Sequence, residues 1–236
     1  MEQPNNEHLP VELSSQLVTI MTAEHYNLQT GRSMTISEAN GRSSLFVGAV
    51  SSGLIALAFV GQISQLGPHF YVFSLVVIAT LFFMGLITFE RVMQAGAVDV
   101  IYASGINRIR HLYLEYAPQM YPYLIHSTQS DPYFMLSSPN DQEAVGHEAM
   151  QPPWWQVFLS TAGMMAVINS VLAGSFVGLL LAAFTFTLWV CTSAGVVAFL
   201  VSLVLHQRYQ CSQWMRVVRT MRGLFPSQPE MQHTTR

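Results

Sequence analysis

The chain has 236 residues, of which 51% are apolar and only 10% are charged. Soluble domains carry about a quarter charged residues, so much of this chain is expected to lie out of water. The net charge of −3 excludes a bulk attraction to nucleic acid. Two cysteines, Cys191 and Cys211, are too few for a disulfide framework.

The first 42 residues are polar and acidic, without a basic segment before a short apolar core. A cleavable signal peptide is therefore not expected, and the first apolar block should anchor the chain. Residues 1–42 are predicted to form a cytoplasmic amphipathic helical region, because several apolar side chains share one helical face. The segment from Thr35 to Glu38 has the pattern of a capping box, which predicts a helix break near Gly31.

Two uncharged blocks follow, at residues 43–63 and 70–89. Each is about 20 residues long, which matches a hydrocarbon core of about 30 Å. Residues 62–69, with adjacent glycine and proline, predict a tight turn between them. The second block ends at Glu90 and Arg91, so these blocks are predicted to be the first two transmembrane helices.

The next segment divides at Pro118. Residues 90–117 stay compatible with a helix and are predicted to extend the second span into the cytoplasm. Residues 118–153 contain six prolines and many polar side chains, which predicts a long cytoplasmic loop between the second and third spans. The acidic residues of this loop are Asp131, Asp141, Glu143 and Glu148.

No charged residue occurs between Trp155 and Leu205. A single helix of this length would extend about 75 Å, more than twice the hydrocarbon core, so the segment must cross twice. The small residues near Gly174 and Gly178 are the best candidates for the turn. The third and fourth transmembrane helices are therefore predicted at residues 155–175 and 180–205.

The arginines determine the predicted topology. All ten basic residues are arginines, and they precede the first span, lie between the second and third, or follow the fourth. The positive-inside rule then places both termini and the middle loop in the cytoplasm. Trp154 and Trp155 stand where the third span begins, as expected of indoles at a membrane interface.

Residues 206–225 are predicted to form an amphipathic helix with Trp214 and Val218 on its apolar face. Two interpretations stay open. The helix could lie in the membrane interface, with Arg216 and Arg219 near acidic lipids, or it could be a cytoplasmic helix packed on its neighbours. The tail, residues 226–236, is predicted to be disordered.

The sequence contains no phosphate-binding loop, nucleophile elbow or paired-cysteine metal motif. His111 and Glu115 have a spacing that suits metal ligation, but two ligands are too few. None of the predicted spans contains an ionisable residue, which argues against an active transporter. No catalytic residue, cofactor or metal is therefore expected.

Asn169 is the strongest polar group deep in a span, and its amide must avoid lipid. It is predicted either to join helices by hydrogen bonds or to line a pore. Small residues at four-residue spacing favour close helix contacts, within one chain or between subunits. These candidate packing positions are Ala49, Gly53, Ser170, Gly174 and Gly178.

Three short segments carry a resemblance to a known group: residues 38–45, residues 87–91 and residues 106–110. They resemble uncharacterised multi-pass membrane proteins of actinobacteria and related bacteria. The resemblance covers about residues 15–115. It implies a bacterial inner (plasma) membrane location and no activity.

The sequence as a whole predicts an all-α integral membrane protein with four transmembrane helices and cytoplasmic helical extensions. The leading hypothesis for its function is a non-enzymatic, self-associating protein whose cytoplasmic helices sense a signal or bind a protein partner. An oligomeric pore or membrane-perturbing effector is the first alternative. A lipid-modifying membrane enzyme is the second. The expected partners are the lipid bilayer, further copies of the chain and a cytoplasmic protein, and not nucleic acid.

Overall fold

The computed structural model describes residues 15–119 and 160–224. These residues form four helices and no strand, which confirms the predicted all-α class for this part of the chain. Each helix contains a stretch that is long and apolar enough to cross a membrane. In chain order the helices are α1 (Ser15–Ile63), α2 (Pro68–Tyr116), α3 (Thr161–Ala183) and α4 (Leu188–Leu224).

The first two helices form one long antiparallel hairpin. Each has 49 residues and extends about 74 Å, so each continues far beyond its apolar segment. The connecting turn falls within the predicted range of residues 62–69. Gln65 and Leu66 adopt left-handed φ angles of 49° and 58° there. Pro68 then starts α2 at a position where its missing N–H is not needed.

The predicted helix break near Gly31 is wrong, because α1 is continuous through this position. The Thr35 hydroxyl donates to the Gly31 carbonyl at 2.9 Å, inside the helix, and caps no helix start. A Cβ atom on Gly31 would lie 2.9 Å from Cζ of Tyr102 in α2. The glycine therefore permits close packing of α1 on α2.

The predicted turn between Gly174 and Gly178 is also wrong. Both glycines lie inside α3, and the turn lies at residues 184–187, where Thr185 has a left-handed φ of 63°. A Cβ on Gly174 would lie 2.7 Å from the backbone oxygen of Gly195 in α4. The glycine thus lets two helix backbones approach, and it does not reverse the chain. The third helix also begins later than predicted, after Ser160.

The four helices are arranged in a chain of contacts: α1 packs on α2, α2 on α3, and α3 on α4, while α4 touches α2 more lightly. The core lies where α1, α2 and α3 meet. Its most buried apolar side chains are Phe46, Ile78, Met165 and Ala166. The outer surface is strongly apolar as well; Trp189, for example, is 86% exposed. Such a surface suits hydrocarbon better than water.

Beyond the apolar segments, residues 15–42 of α1 and residues 90–116 of α2 continue as a paired rod, which we call the stalk. Val100, Ile106 and Ile109 are buried along it. A Cβ on Gly105 would meet Leu28 at 3.1 Å, so the helices pack closely here too.

The final part of α4 packs against the stalk. α4 runs unbroken from Leu188 to Leu224. The Trp214 ring lies on Gly96 of α2, where a Cβ would be 3.3 Å from the ring, and Val218 is buried. This part of α4 therefore packs on α2, and its position relative to a membrane stays a prediction.

Several predictions lie outside the described residues. They concern most of the loop at residues 118–153, the interfacial Trp154 and Trp155, and the tail at residues 226–236.

Candidate functional site

Polar side chains gather where the apolar segments of α2 and α4 end and where α3 begins. Glu90 is the first charged residue of α2, and the polar part of α4 starts directly after Leu205. The chain folds so that these positions share one level with the residue that caps α3. We call the resulting group the polar layer; its members are Glu90, Ser160, His206, Tyr209 and Gln210.

A short hydrogen bond joins α2 to α4 in this layer. The Tyr209 hydroxyl donates to Oε2 of Glu90 at 2.6 Å. The other carboxylate oxygen, Oε1, accepts from the Gln94 amide at 3.0 Å. Donation to a carboxylate stabilises the protonated phenol and raises the pKa of Tyr209. Glu90 is thus engaged through both oxygens.

His206 is held by its own helix and by an aromatic ring. Its Nδ1 lies 2.8 Å from the Ser202 carbonyl, so Nδ1 carries the proton of this hydrogen bond. The ring meets Phe89 edge to face at a centroid distance of 5.0 Å. Its Nε2 is buried and has no hydrogen-bond partner among the described residues.

Gln210 and Ser160 connect α4 to the start of α3. The Ser160 hydroxyl accepts from the Gly163 N–H at 3.0 Å and so caps α3. Nε2 of Gln210 lies 3.4 Å from the same hydroxyl. Gln210 is buried, and its Oε1 has no partner within the described part of the chain. Buried acceptors of this kind bind water or a polar ligand group.

A cavity of about 80 Å³ opens beside the polar layer, between α2 and α4. Glu90, Gln94 and Gln213 give it polar walls, and Trp214 gives it an aromatic one. It has room for a few water molecules or one small polar group. Among residues 15–119 and 160–224, no group of three or more His, Cys, Asp or Glu side chains could hold a metal ion.

Asn169 lies at the junction of three helices. It is fully buried, and a Cβ on Gly85 of α2 would lie 2.7 Å from its Cγ and 2.8 Å from the Phe46 ring of α1. Neither amide atom has a hydrogen-bond partner in the described residues. Asn169 therefore joins helices by packing against Gly85, and not by a hydrogen bond.

The predicted packing positions all lie in contacts within the chain. A Cβ on Gly53 would lie 2.8 Å from Cδ1 of Leu81 in α2. A Cβ on Gly178 would lie 3.4 Å from the carbonyl oxygen of Cys191 in α4. The hydroxyl of Ser170 donates to Ala166 within α3. Ala49 packs on the core and Gly174 on Gly195. These positions are thus occupied by α1–α2 and α3–α4 packing.

Sequence reasoning missed Gly85, Gly96 and Gly195, each of which makes room for a facing side chain or backbone. The available signal was a glycine inside a helix that needs no turn there, which usually has a packing reason. The polar layer was missed as well, because its members come from three distant segments. Arg216 and Arg219 are exposed on α4, and the Glu115 side chain lies outside the described set.

Comparisons of the chain with protein-family models, curated proteins and solved structures found no match. The resemblance to bacterial multi-pass membrane proteins stays a prediction. Any function must therefore be argued from the helices, the polar layer and the stalk.

Proposed function

We propose that the chain is a non-enzymatic, four-span protein of a bacterial inner membrane, and that it self-associates through its stalk. In this arrangement the stalk and both termini lie in the cytoplasm. The polar layer marks the inner membrane interface, and a cytoplasmic protein partner binds the stalk.

The arginines support the orientation. Arg42, Arg91 and Arg208 stand where the apolar segments of α1, α2 and α4 meet the polar part of the chain. Basic residues at this position favour the cytoplasmic side. With 23 residues, α3 is about 34 Å long, which is enough for one crossing and no extension.

The observation that carries the proposal is the exposed apolar surface of the stalk. Ile20 is 62% exposed, Tyr26 65% and Met34 68%, all on α1, and Ile101 is 45% exposed on α2. Two helices alone leave apolar side chains uncovered, whereas two such hairpins form a four-helix bundle. Exposed apolar patches of this kind mark contacts with proteins.

The continuity of the helices supports a coupling role. Both α1 and α2 pass from apolar segment to stalk without a break. A partner that moves the stalk therefore also moves the membrane-embedded ends, because a continuous helix transmits rotation and tilt. This continuity supports the proposed sensing role.

Self-association can be tested by the mass of the purified protein in detergent, measured by light scattering. The double variant Ile20→Ser, Met34→Ser should shift an oligomer toward the monomer. The control Asn27→Ser, Gln29→Ser changes exposed polar positions of the same helix and should leave the mass unchanged. A monomeric wild-type protein, or an oligomer that survives the double variant, would overturn the proposal.

The unpartnered amide of Asn169 favours a second candidate, a pore formed on oligomerisation. A buried amide without a partner suits a place that water enters. Ion flux into liposomes that contain the purified protein tests this candidate. Flux that Asn169→Leu abolishes would support the pore, and the absence of flux would reject it.

A further inference from the structure

The second half of α4 presents a basic face that forms no ion pair with the described acidic side chains. α4 contains four arginines and no Asp or Glu. Arg216 and Arg219 are exposed, and so are Met215 and Cys211 on the same part of α4. The structure gives Arg216 and Arg219 no ion-pair partner within residues 15–119 and 160–224. We call this surface the arginine face.

The neighbouring acids of α2 are already engaged. The ring of Trp214 on Gly96 sets the level of α4 along the stalk, so Arg216 and Arg219 lie beside residues 98–101 of α2. At this level Asp99 pairs with Arg32. Glu90 lies about two turns nearer the apolar segment of α2, where its carboxylate accepts hydrogen bonds from the neutral side chains of Tyr209 and Gln94. In the described part of the stalk, therefore, no carboxylate lies within ion-pair distance of Arg216 or Arg219.

The chain contains a segment of opposite charge between two anchoring points on the stalk. Residues 120–159 carry Asp131, Asp141, Glu143 and Glu148 and no Lys or Arg. The segment starts at the far end of the stalk, after Gln119, and ends at Ser160, whose hydroxyl lies 3.4 Å from Gln210 of α4. From the end of α2 back to Gly96 is about 30 Å along the helix. The two anchoring points of the segment, Gln119 and Ser160, therefore lie on opposite sides of the level of Arg216 and Arg219.

We propose that residues 131–148 of this chain bind the arginine face of α4 through their four carboxylates. Forty residues reach far more than 30 Å, so the length of the connection imposes no strain. Tethering at both ends gives the carboxylates a high effective concentration at the arginines. The segment thereby covers the side of α4 that the stalk leaves open.

Two other groups could supply negative charge to the arginine face. Anionic lipids are less suitable, since Arg219 lies about 21 Å along α4 beyond Leu205, outside the headgroup layer. The acidic N-terminal residues Glu2, Glu7 and Glu12 are the other source. They join the described chain at Ser15, on the far end of the stalk.

Disulfide formation with the native Cys211 tests the proposal in the full-length protein, purified in neutral detergent. The variant Glu143→Cys should form an intramolecular disulfide, seen as a cross-linked species of monomer mass. Its rate should exceed that of Glu7→Cys on the order of tenfold, since the segment is held at the arginine face. Cys191 is buried and does not compete.

The charge dependence separates the three occupants. Adding Arg216→Gln and Arg219→Gln, or raising the salt to about 0.5 M, should slow the Glu143→Cys disulfide several-fold. An unchanged rate under both treatments would overturn the proposal. So would a faster disulfide from Glu7→Cys. Cross-linking that slows when vesicles of an anionic lipid are added, with no effect from neutral vesicles, would show that lipid holds the face more strongly than the segment.

Discussion

Arg32 of α1 and Asp99 of α2 form a two-contact ion pair, with Nε 2.6 Å from Oδ1 and Nη2 3.3 Å from Oδ2. The two residues are 67 positions apart in sequence. Their pairing fixes the register of α1 against α2 in the stalk. The ion pair lies about one helical turn from the contact between Gly31 and Tyr102. The ion pair and the close packing therefore favour the same alignment of α1 on α2. Two parallel contacts between a guanidinium and a carboxylate restrict the relative orientation of the helices more than a single contact does.

Asp99→Asn should lower the stability of the stalk modestly. The Arg32 and Asp99 side chains are 43% and 26% exposed, so water screens much of the attraction and the expected loss is about 1 kcal/mol. Protease sensitivity of α1 and thermal unfolding in detergent would measure it. Glu38→Gln is the matched control, because Glu38 pairs with Arg42 within one exposed helix turn and should matter less. Equal effects of both variants would contradict a register role for Asp99.

Gly85→Ala should destabilise the three-helix junction by about 1–3 kcal/mol, as expected for overpacking of a tight core. The added methyl group meets the Asn169 amide and the Phe46 ring. Thermal unfolding of the purified protein would measure the loss. Gly48→Ala is the control, because a Cβ there meets nothing within 4 Å. Asn169→Ala should relieve the clash with the amide and leave the one with the Phe46 ring, so the double variant should recover part of the stability lost in Gly85→Ala.

The helical glycines are the residues whose structural role the sequence did not predict. The first two apolar blocks follow from composition and lie within α1 and α2, whereas the apolar run 155–205 divides at residues 184–187 and not between the predicted spans 155–175 and 180–205. The turn at residues 184–187 has no glycine, proline or charge, whereas Gly174 and Gly31 looked like breaks. A glycine in an apolar segment can mark a turn or permit a close contact between helices. Which of the two applies depends on the group that faces the glycine in the folded chain. For Gly31 that group is Tyr102 and for Gly174 it is Gly195, neither of which is local in sequence.

The candidate site was predictable in one part only. Asn169 stood out because an amide is unusual within an apolar segment. The polar layer did not, because Glu90, Ser160 and Tyr209 are each ordinary residues at a helix end. Their common level depends on the relative shift of α2, α3 and α4, which the side-chain packing of the folded chain determines.

Tyr209→Phe should loosen α4 from α2 without unfolding the bundle. It removes the 2.6 Å hydrogen bond to Glu90, and because Tyr209 is partly exposed the expected loss is about 1 kcal/mol. Faster hydrogen exchange in residues 206–220 would report the loosening. Tyr26→Phe is the control, since its ring lies on the exposed surface of the stalk. If exchange stays the same in Tyr209→Phe, the bond does not hold the helices together.

Asn169→Leu separates the two interpretations of the buried amide. Within the described residues neither amide atom has a partner, so in a dry junction the wild-type chain carries an unsatisfied group that is unfavourable by about 1–3 kcal/mol. Leucine has a similar size and no polar atoms, and it should then raise the melting temperature. If water or a second copy of the chain satisfies the amide, the same substitution should lower it. Asn169→Asp provides the matched polar variant, because it would bury a carboxylate and should destabilise in the dry junction but be tolerated in a wet one. Thermal unfolding of all three proteins in detergent, at several protein concentrations, distinguishes the cases, since only a contact between copies makes the effect of Asn169→Leu depend on concentration.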